Sequence, residues 1–220
     1  MTGKKKDFIK MRQGCIECLA VLMKNYLSSS LPKTSTPLDS LIPAILENVC
    51  NEQYSSDSKT IPFRICLANA LTSTARSLTG EAVQRFSELT IQKLCSFIQS
   101  RSLRKEGGSI DIRVSCACLQ CLFAQAFALN SNILPFVPNL IEAALASLRW
   151  HALDSGQDNP SLFGLKLLSA ILASRQDVLE GGSKYFEEIL ELLNSLASDI
   201  EQDPGVREIA SQILFSFFAK

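Results

Sequence analysis

Apolar residues recur along this chain at the three- and four-residue spacings of amphipathic α-helices. The pattern predicts about nine helices, and no stretch alternates apolar and polar residues as a half-buried strand would. The helices are expected at about 7–27, 38–53, 61–78, 81–100, 111–129, 134–153, 160–174, 183–198 and 205–218. The sequence therefore predicts an all-α fold.

A short motif repeats within these helices. It consists of an apolar residue and an arginine, followed by small or apolar residues three, six and seven positions after the arginine. The arginine falls at positions 12, 64, 113 and 207, and Gly164 takes its place in a degenerate copy. Successive copies are about 40 to 50 residues apart, as in helical repeat proteins. We therefore expect antiparallel helix pairs that stack along one continuous core.

The clearest copy lies at the C-terminal end of the sequence. An apolar helix near 186–193 is followed by the turn Asp203-Pro204 and then by Val206-Arg207. This order resembles the HEAT and armadillo-type helical repeats, in which the second helix of each pair begins with an apolar residue and an arginine after an aspartate-containing turn. The resemblance implies a single α-solenoid over residues 1–220. Its helix pairs would span about 40–78, 83–129, 134–174 and 184–218, with helix 7–27 as an unpaired helix of the second type.

The arginine of the motif needs a compensating group. A positive charge in the first turn of a helix opposes the macrodipole, so a nearby carboxylate is expected. Asp111 and Asp203, in the turns before two of these helices, are the expected partners. A ladder of this kind would be structural.

Charge is balanced overall but unevenly distributed. Residues 1–110 hold 15 basic and 9 acidic residues, whereas residues 111–220 hold 7 and 13. Such asymmetry steers an elongated partner or a neighbouring molecule, and chance clustering on solvated faces is the alternative.

A short basic cluster lies near the N-terminal end, at Lys4, Lys5, Lys6, Lys10 and Arg12. A solvated terminus is the favoured interpretation. A nuclear import signal and a phosphate contact are the alternatives.

The eight cysteines lie almost entirely within apolar helical patterns. Reduced cysteine in such a place behaves as a small apolar residue, which predicts a reducing compartment, the cytoplasm or the nucleus. Cys116, Cys118 and Cys121 have the spacing of metal ligands, but 116 and 118 point about 200° apart on a helix. We therefore expect buried thiols and no metal or cofactor.

Catalytic motifs are not recognisable. His151 is the single histidine, and the sequence contains neither a G-x-S-x-G nucleophile turn nor a phosphate-binding glycine loop. No apolar run free of charged or amide residues reaches the roughly 18 to 20 residues of a membrane span, and no signal peptide is evident. We predict neither an enzyme nor a membrane protein.

The resemblance also implies a function. HEAT and armadillo-type repeats typically bind proteins and sometimes nucleic acid, and their second helices usually line a concave face. The predicted function is a non-enzymatic scaffold for a protein partner, and the alternative is a nucleic-acid-associated solenoid that uses the basic N-terminal half. Phasing the second helices inward places six candidate partner-binding residues on that face: Glu17, Lys24, Asn69, Arg76, Gln125 and Gln212.

The last helix is crowded with large apolar side chains. Leu214, Phe215, Phe217 and Phe218 lie within five positions, and that stretch winds more than once round the helix. They cannot all face inward, so Phe215 is expected to be partly exposed and to belong to a partner or self-association surface. The alternative is that a further repeat of a longer protein covers it.

Overall fold

The computed structural model describes residues 2–28, 40–51, 60–102, 112–149, 159–174 and 184–218. It contains the helices α1 (Thr2–Ser28), α2 (Leu41–Val49), α3 (Ile61–Ser77), α4 (Glu81–Ser102), α5 (Ile112–Leu129), α6 (Val137–Leu148), α7 (Pro160–Ser174), α8 (Phe186–Ser198) and α9 (Pro204–Phe218). These ranges contain no strand, which confirms the predicted all-α fold.

Helices α5 and α6 are not separated by a loop. A 3-10 helix, Asn130–Phe136, joins them into one continuous helical stretch, so the described ranges hold eight separate helical segments rather than the predicted nine. The junction depends on Asn130, whose φ of 47° lies in the left-handed region that asparagine tolerates better than most residues. Pro135 adds a residue without a backbone donor inside the 3-10 turn.

The helices pack in two rows. We call α1, α3, α5, α7 and α9 the odd row, in which each helix contacts the next, and α2, α4, α6 and α8 the even row. Each even helix also packs on the odd helix that follows it, which makes four helix pairs. Between α6 and the start of α8, Glu142 lies 3.8 Å from the Lys184 amine and accepts a hydrogen bond from the Tyr185 hydroxyl.

One hydrophobic core runs along the rows. It extends from Met23 in α1 through Leu71, Leu119 and Leu168 to Ile213 in α9. Each large aliphatic side chain buried in this way stabilises the fold by about 1.5 to 3 kcal/mol. Because successive helices share this core, each inner helix buries its apolar side chains against its neighbours.

The stretch Ile112–Leu148 is long and apolar enough to cross a membrane by length and composition, contrary to the expectation drawn from the apolar runs. About 67% of its most apolar window is buried inside the fold. The core helix of a globular protein passes the same test, so this feature alone assigns no membrane.

The arginines of the repeated motif do not occupy equivalent sites. Arg64 is 1% exposed, and its Nε and Nη2 donate to the carbonyl oxygen of Val49 at 3.0 and 2.7 Å. This carbonyl ends α2, so the negative end of a helix dipole faces the guanidinium. The Phe97 ring lies 5.6 Å from the guanidinium carbon, whereas Arg113 is exposed.

The predicted arginine–aspartate ladder is wrong where the structure describes it. Asp203 caps α9 instead, because its Oδ1 accepts from the backbone N–H groups of Gly205 and Val206 at 2.8 and 3.3 Å. Arg207 keeps a buried Nε with no hydrogen-bond partner among the described residues. Asp111 lies outside the described residues.

Gly164, the degenerate copy of the motif, has a packing reason. A Cβ added there would lie 2.0 Å from the Ser147 Oγ and 3.2 Å from the Ala144 carbonyl oxygen. Helices α6 and α7 therefore approach too closely for any side chain at this position, and an arginine has no room.

We expect Gly164→Ala to destabilise the fold by about 1 to 2 kcal/mol, because overpacking outweighs the gain in helix propensity. The matched control is Gly14→Ala in α1, where a new Cβ meets no atom within 4 Å. This control should stabilise by about 0.5 to 1 kcal/mol. Urea unfolding measures both changes, and adding Ser147→Ala should restore most of the loss at Gly164. A stabilising effect of Gly164→Ala would contradict the close approach.

Candidate binding face

One side of the odd row faces away from the even row and is solvent-accessible along its length. Most of its residues recur at the helical phase of positions 69, 73 and 76 of α3, and Phe123 and Lys166 lie beside that phase. We call this surface the outer face. Its members are Glu17, Val21, Lys24, Asn69, Ser73, Arg76, Gln120, Phe123, Phe127, Lys166, Ser169, Ala173, Gln212 and Ser216.

Five of the six residues predicted for a binding face lie on the outer face. Four are exposed and Asn69 is half-buried. The exposed residues are Glu17, Lys24, Arg76 and Gln212. A role in partner binding stays a prediction for all of them.

The prediction for Gln125 is wrong, because this side chain is fully buried between α4 and α5. Its Oε1 accepts a hydrogen bond from the Thr90 hydroxyl at 2.8 Å, and its Nε2 lies 3.3 Å from the Cys121 sulfur. Both ends of the amide are therefore satisfied inside the core, as a buried polar group requires.

The error comes from the register of the repeat. Aligning Arg113 with Arg64 shifts α5 by two residues, since burial shows that Ser115 occupies the position equivalent to Arg64. In the correct register Gln120 and Phe127 follow Asn69 and Arg76 by 51 positions, with matching exposure. Phe127 is one of the outer-face residues that the sequence pattern missed.

A cleft of about 740 Å³ opens on the outer face beside the C-terminal ends of α3, α5 and α7. Phe127, which is 77% exposed, and Phe123 are the two aromatic side chains of its described lining. Arg76 is the one charged side chain of its described lining and forms no ion pair with a described residue. The remaining lining residues are Leu78, Thr79, Ala124, Ala128, Asn130, Ala170, Ala173 and Ser174.

This lining suits recognition rather than proton transfer. It offers an apolar surface, a few hydroxyl and amide groups and one guanidinium, but no carboxylate, histidine, cysteine or lysine among its described residues. An apolar side chain placed against Phe127 and a carboxylate within reach of Arg76 would both be complemented.

A second, shallower groove of about 550 Å³ lies between the C-terminal ends of α2 and α4. Glu47 and Lys93 bring opposite charges to its lining, and Phe97, whose ring lies 5.6 Å from the Arg64 guanidinium carbon, also lines it. Unlike the cleft on the outer face, this groove does not have an exposed large apolar side chain beside an isolated charge in its described lining.

The cysteines differ in burial, and Cys66 on α3 is half-buried. Cys116, Cys118 and Cys121 are buried as predicted, together with Cys50 and Cys95. Cys15 and Cys18 are exposed on α1, so the expectation of burial is wrong for that pair. Among the described residues, no group of three or more metal-ligating side chains is placed to hold an ion.

Burial raises the pKa of the Cys121 thiol from 9.0 to about 12, and it raises the pKa of Cys118 as well. The thiolate is the reactive form of cysteine. In folded protein at pH 8, iodoacetamide should therefore modify Cys15 and Cys18 rapidly and the buried thiols at least about a hundredfold more slowly. Peptide mass spectrometry after timed quenching measures each rate. Modification of Cys118 or Cys121 as fast as Cys15 would contradict the burial.

The same pKa shift links stability to pH. The unfolded thiol ionises near 9.0 and the folded Cys121 near 12. The stabilisation from keeping this thiol neutral is therefore complete below about pH 9 and is lost as the pH rises towards 12.

Some of the predicted features lie outside the described residues. These are His151, Asp111 and the side chains of Lys4, Lys5, Lys6, Lys10, Arg12, Phe217 and Phe218.

Compared with protein-family models, with curated proteins and with solved structures, the chain has no match.

Proposed function

We propose that this chain is an α-solenoid of the HEAT or armadillo type that acts as a non-enzymatic scaffold for protein partners. The support for the solenoid is the order of helix contacts, with two rows, four pairs and one core that runs along them. Free cysteines, most of them buried, support a reducing location, the cytoplasm or the nucleus.

The observation that carries the function is the exposure of Phe127 in the outer-face cleft. Burying a phenylalanine stabilises by about 2 to 3 kcal/mol, so a largely exposed one in a concave site marks an interaction surface. Aromatic anchors in pockets supply much of the binding energy at protein interfaces.

The partner segment follows from the lining. It presents a large apolar side chain to Phe127 and Phe123, and an aspartate or glutamate to Arg76. Since the outer face is otherwise mixed in charge, with Glu17, Lys24 and Lys166 along it, an extended polyanion gains little from it. The geometry therefore favours a protein segment over nucleic acid.

A selection of displayed random peptides tests the function. Immobilised wild-type protein is the bait, Phe127→Glu is the counter-selection bait, and Phe63→Glu is the control, because Phe63 is 56% exposed on α3 outside the cleft. We expect peptides with an apolar anchor beside an acidic residue, retained by the control and lost with Phe127→Glu. Failure to enrich peptides, combined with salt-sensitive retention on immobilised DNA, would favour the nucleic-acid alternative.

A further inference from the structure

Each end of the odd row has a side that no described helix covers. On α1 this side carries Met11, Cys15, Cys18 and Leu22, spaced at four, three and four residues along one stripe. All four are exposed, Met11 by 61% and Leu22 by 52%. An apolar stripe of this kind is unusual on a helix that faces water.

The same positions are buried inside the row. Cys15, Cys18 and Leu22 correspond to Leu67, Ala70 and Thr74 of α3, 52 residues later, and all three are buried. Their covering helix is the preceding one in the row, since the Thr74 hydroxyl lies 4.0 Å from the sulfur of Met23 in α1. The exposed stripe of α1 is therefore the side on which a preceding odd helix would pack.

The opposite end shows the complementary side. On α9 the uncovered residues are Glu208, Ser211 and Phe215, and Phe215 is 74% exposed. Their equivalents in α7, 43 residues earlier, are Leu165, Leu168 and Leu172, which are all buried. These are the positions that face the next helix of the row.

A contact within the row shows how the two ends would meet. Helix α3 packs directly on the following α5, with Thr72 of α3 beside the Cys121 thiol of α5. In the repeat, Phe215 of α9 occupies the position of Thr72 in α3, and Cys18 of α1 occupies the position of Cys121 in α5. The uncovered side of α9 is therefore equivalent to the side of α3 that packs on α5, and the uncovered side of α1 is equivalent to the side of α5 that packs on α3. The two uncovered sides would pack together in the same way.

The charges of the two ends are opposite. Helix α1 carries six basic and two acidic residues, whereas the pair of α8 and α9 with its turns, residues 184–218, carries two basic and seven acidic ones. Unlike ends attract and like ends repel, so electrostatics favours pairing one end with the other over pairing either end with itself.

We propose that copies of this chain associate head to tail, with the α9 side of one copy packed on the α1 side of the next. The occupant of each exposed stripe is thus a second copy, and the interface extends the odd row across the junction. Such a heterologous contact continues into an open chain of copies or closes into a ring. It does not involve the cleft at Phe127 and is independent of it.

Sedimentation velocity in the presence of a thiol reductant tests this proposal. Wild-type protein should gain mass with concentration, and less so at high salt because exposed charges are screened. Phe215→Glu and Leu22→Glu should each weaken association by at least about thirtyfold, since each places a charge in the centre of the contact. Leu134→Glu is the control, because Leu134 is 55% exposed in the 3-10 helix between α5 and α6, in the middle of the rows.

Sedimentation of a mixture of Phe215→Glu and Leu22→Glu is the decisive experiment. Each retains one intact end, so an equimolar mixture should form a complex of two chains and grow no further. Unchanged melting temperatures would verify that the variants are folded. A wild type that stays monomeric at all concentrations, association that survives either substitution, or a mixture that remains monomeric would overturn the proposal.

Discussion

An Ala210→Asp variant is expected to lose more than about 3 kcal/mol of folding stability and to unfold at least α8 and α9. Ala210 is fully buried in α9, which packs on both α8 and α7. A carboxylate there would be removed from solvent among apolar side chains, and burying a charge is costly. Urea unfolding gives the loss, and amide hydrogen exchange shows where the helices open.

The adjacent position supplies the control for this change. Ser211 is exposed on α9 of a single copy, so Ser211→Asp, measured at low protein concentration, adds the same group in the same helix without burying it. We expect a change within about 0.5 kcal/mol. Equal unfolding curves for Ala210→Asp and the wild type would show that α9 does not pack by this side.

An Arg64→Ala variant is expected to lose about 3 kcal/mol or more. The substitution leaves the Val49 carbonyl without its two donors and opens a cavity beside Phe97. Arg64→Lys should recover only part of the loss, because an ammonium cannot reproduce the forked geometry of the guanidinium.

Arg113→Ala is the matched comparison, since the sequence motif places both arginines at one position. Arg113 is exposed, and removal of an exposed charged side chain should cost less than about 1 kcal/mol. Calorimetric melting of the two variants measures the difference. Equal losses would mean that the arginines are equivalent after all.

Most helix positions follow from the sequence because apolar periodicity and turn residues mark them independently. Helix α7 begins and ends where predicted, at Pro160–Ser174, and α9 begins one residue before the predicted start, directly after its cap Asp203. Helix α2 is shorter than predicted, Leu41–Val49 rather than 38–53. Helix ends without a distinctive cap or break are the least determined by local sequence.

The phase of α5 could not be read from its sequence. This helix is apolar nearly all round, so it has no polar stripe to show which side faces solvent. Aligning α5 by its motif arginine shifts the register by two residues. That register wrongly predicts that Gln125 is exposed and does not predict the exposure of Phe127. The correct register follows from which α5 side chains are buried against neighbouring helices. That depends on tertiary packing, which the local sequence does not reveal.

The exposure of Cys15 and Cys18 has a similar cause. Their apolar pattern is that of an inner helix, and nothing local distinguishes a helix with two neighbours in its row from one with a single neighbour. The exposure of Phe215 was predictable, because the crowding of large side chains in α9 exceeds what one helix can bury. Only the packing order of the rows shows that no described helix covers the two ends.

Calorimetric titration of the best selected peptide, with a reciprocal charge reversal, is the most direct test of the proposed binding cleft. Arg76→Glu should weaken binding by about tenfold or more. A peptide whose acidic residue is changed to lysine should regain affinity for that variant while losing it for the wild type. Phe127→Glu should abolish binding of both peptides, whereas Phe63→Glu should leave both affinities unchanged. Affinities that are the same for all four proteins would contradict the assignment of the outer-face cleft as the binding site.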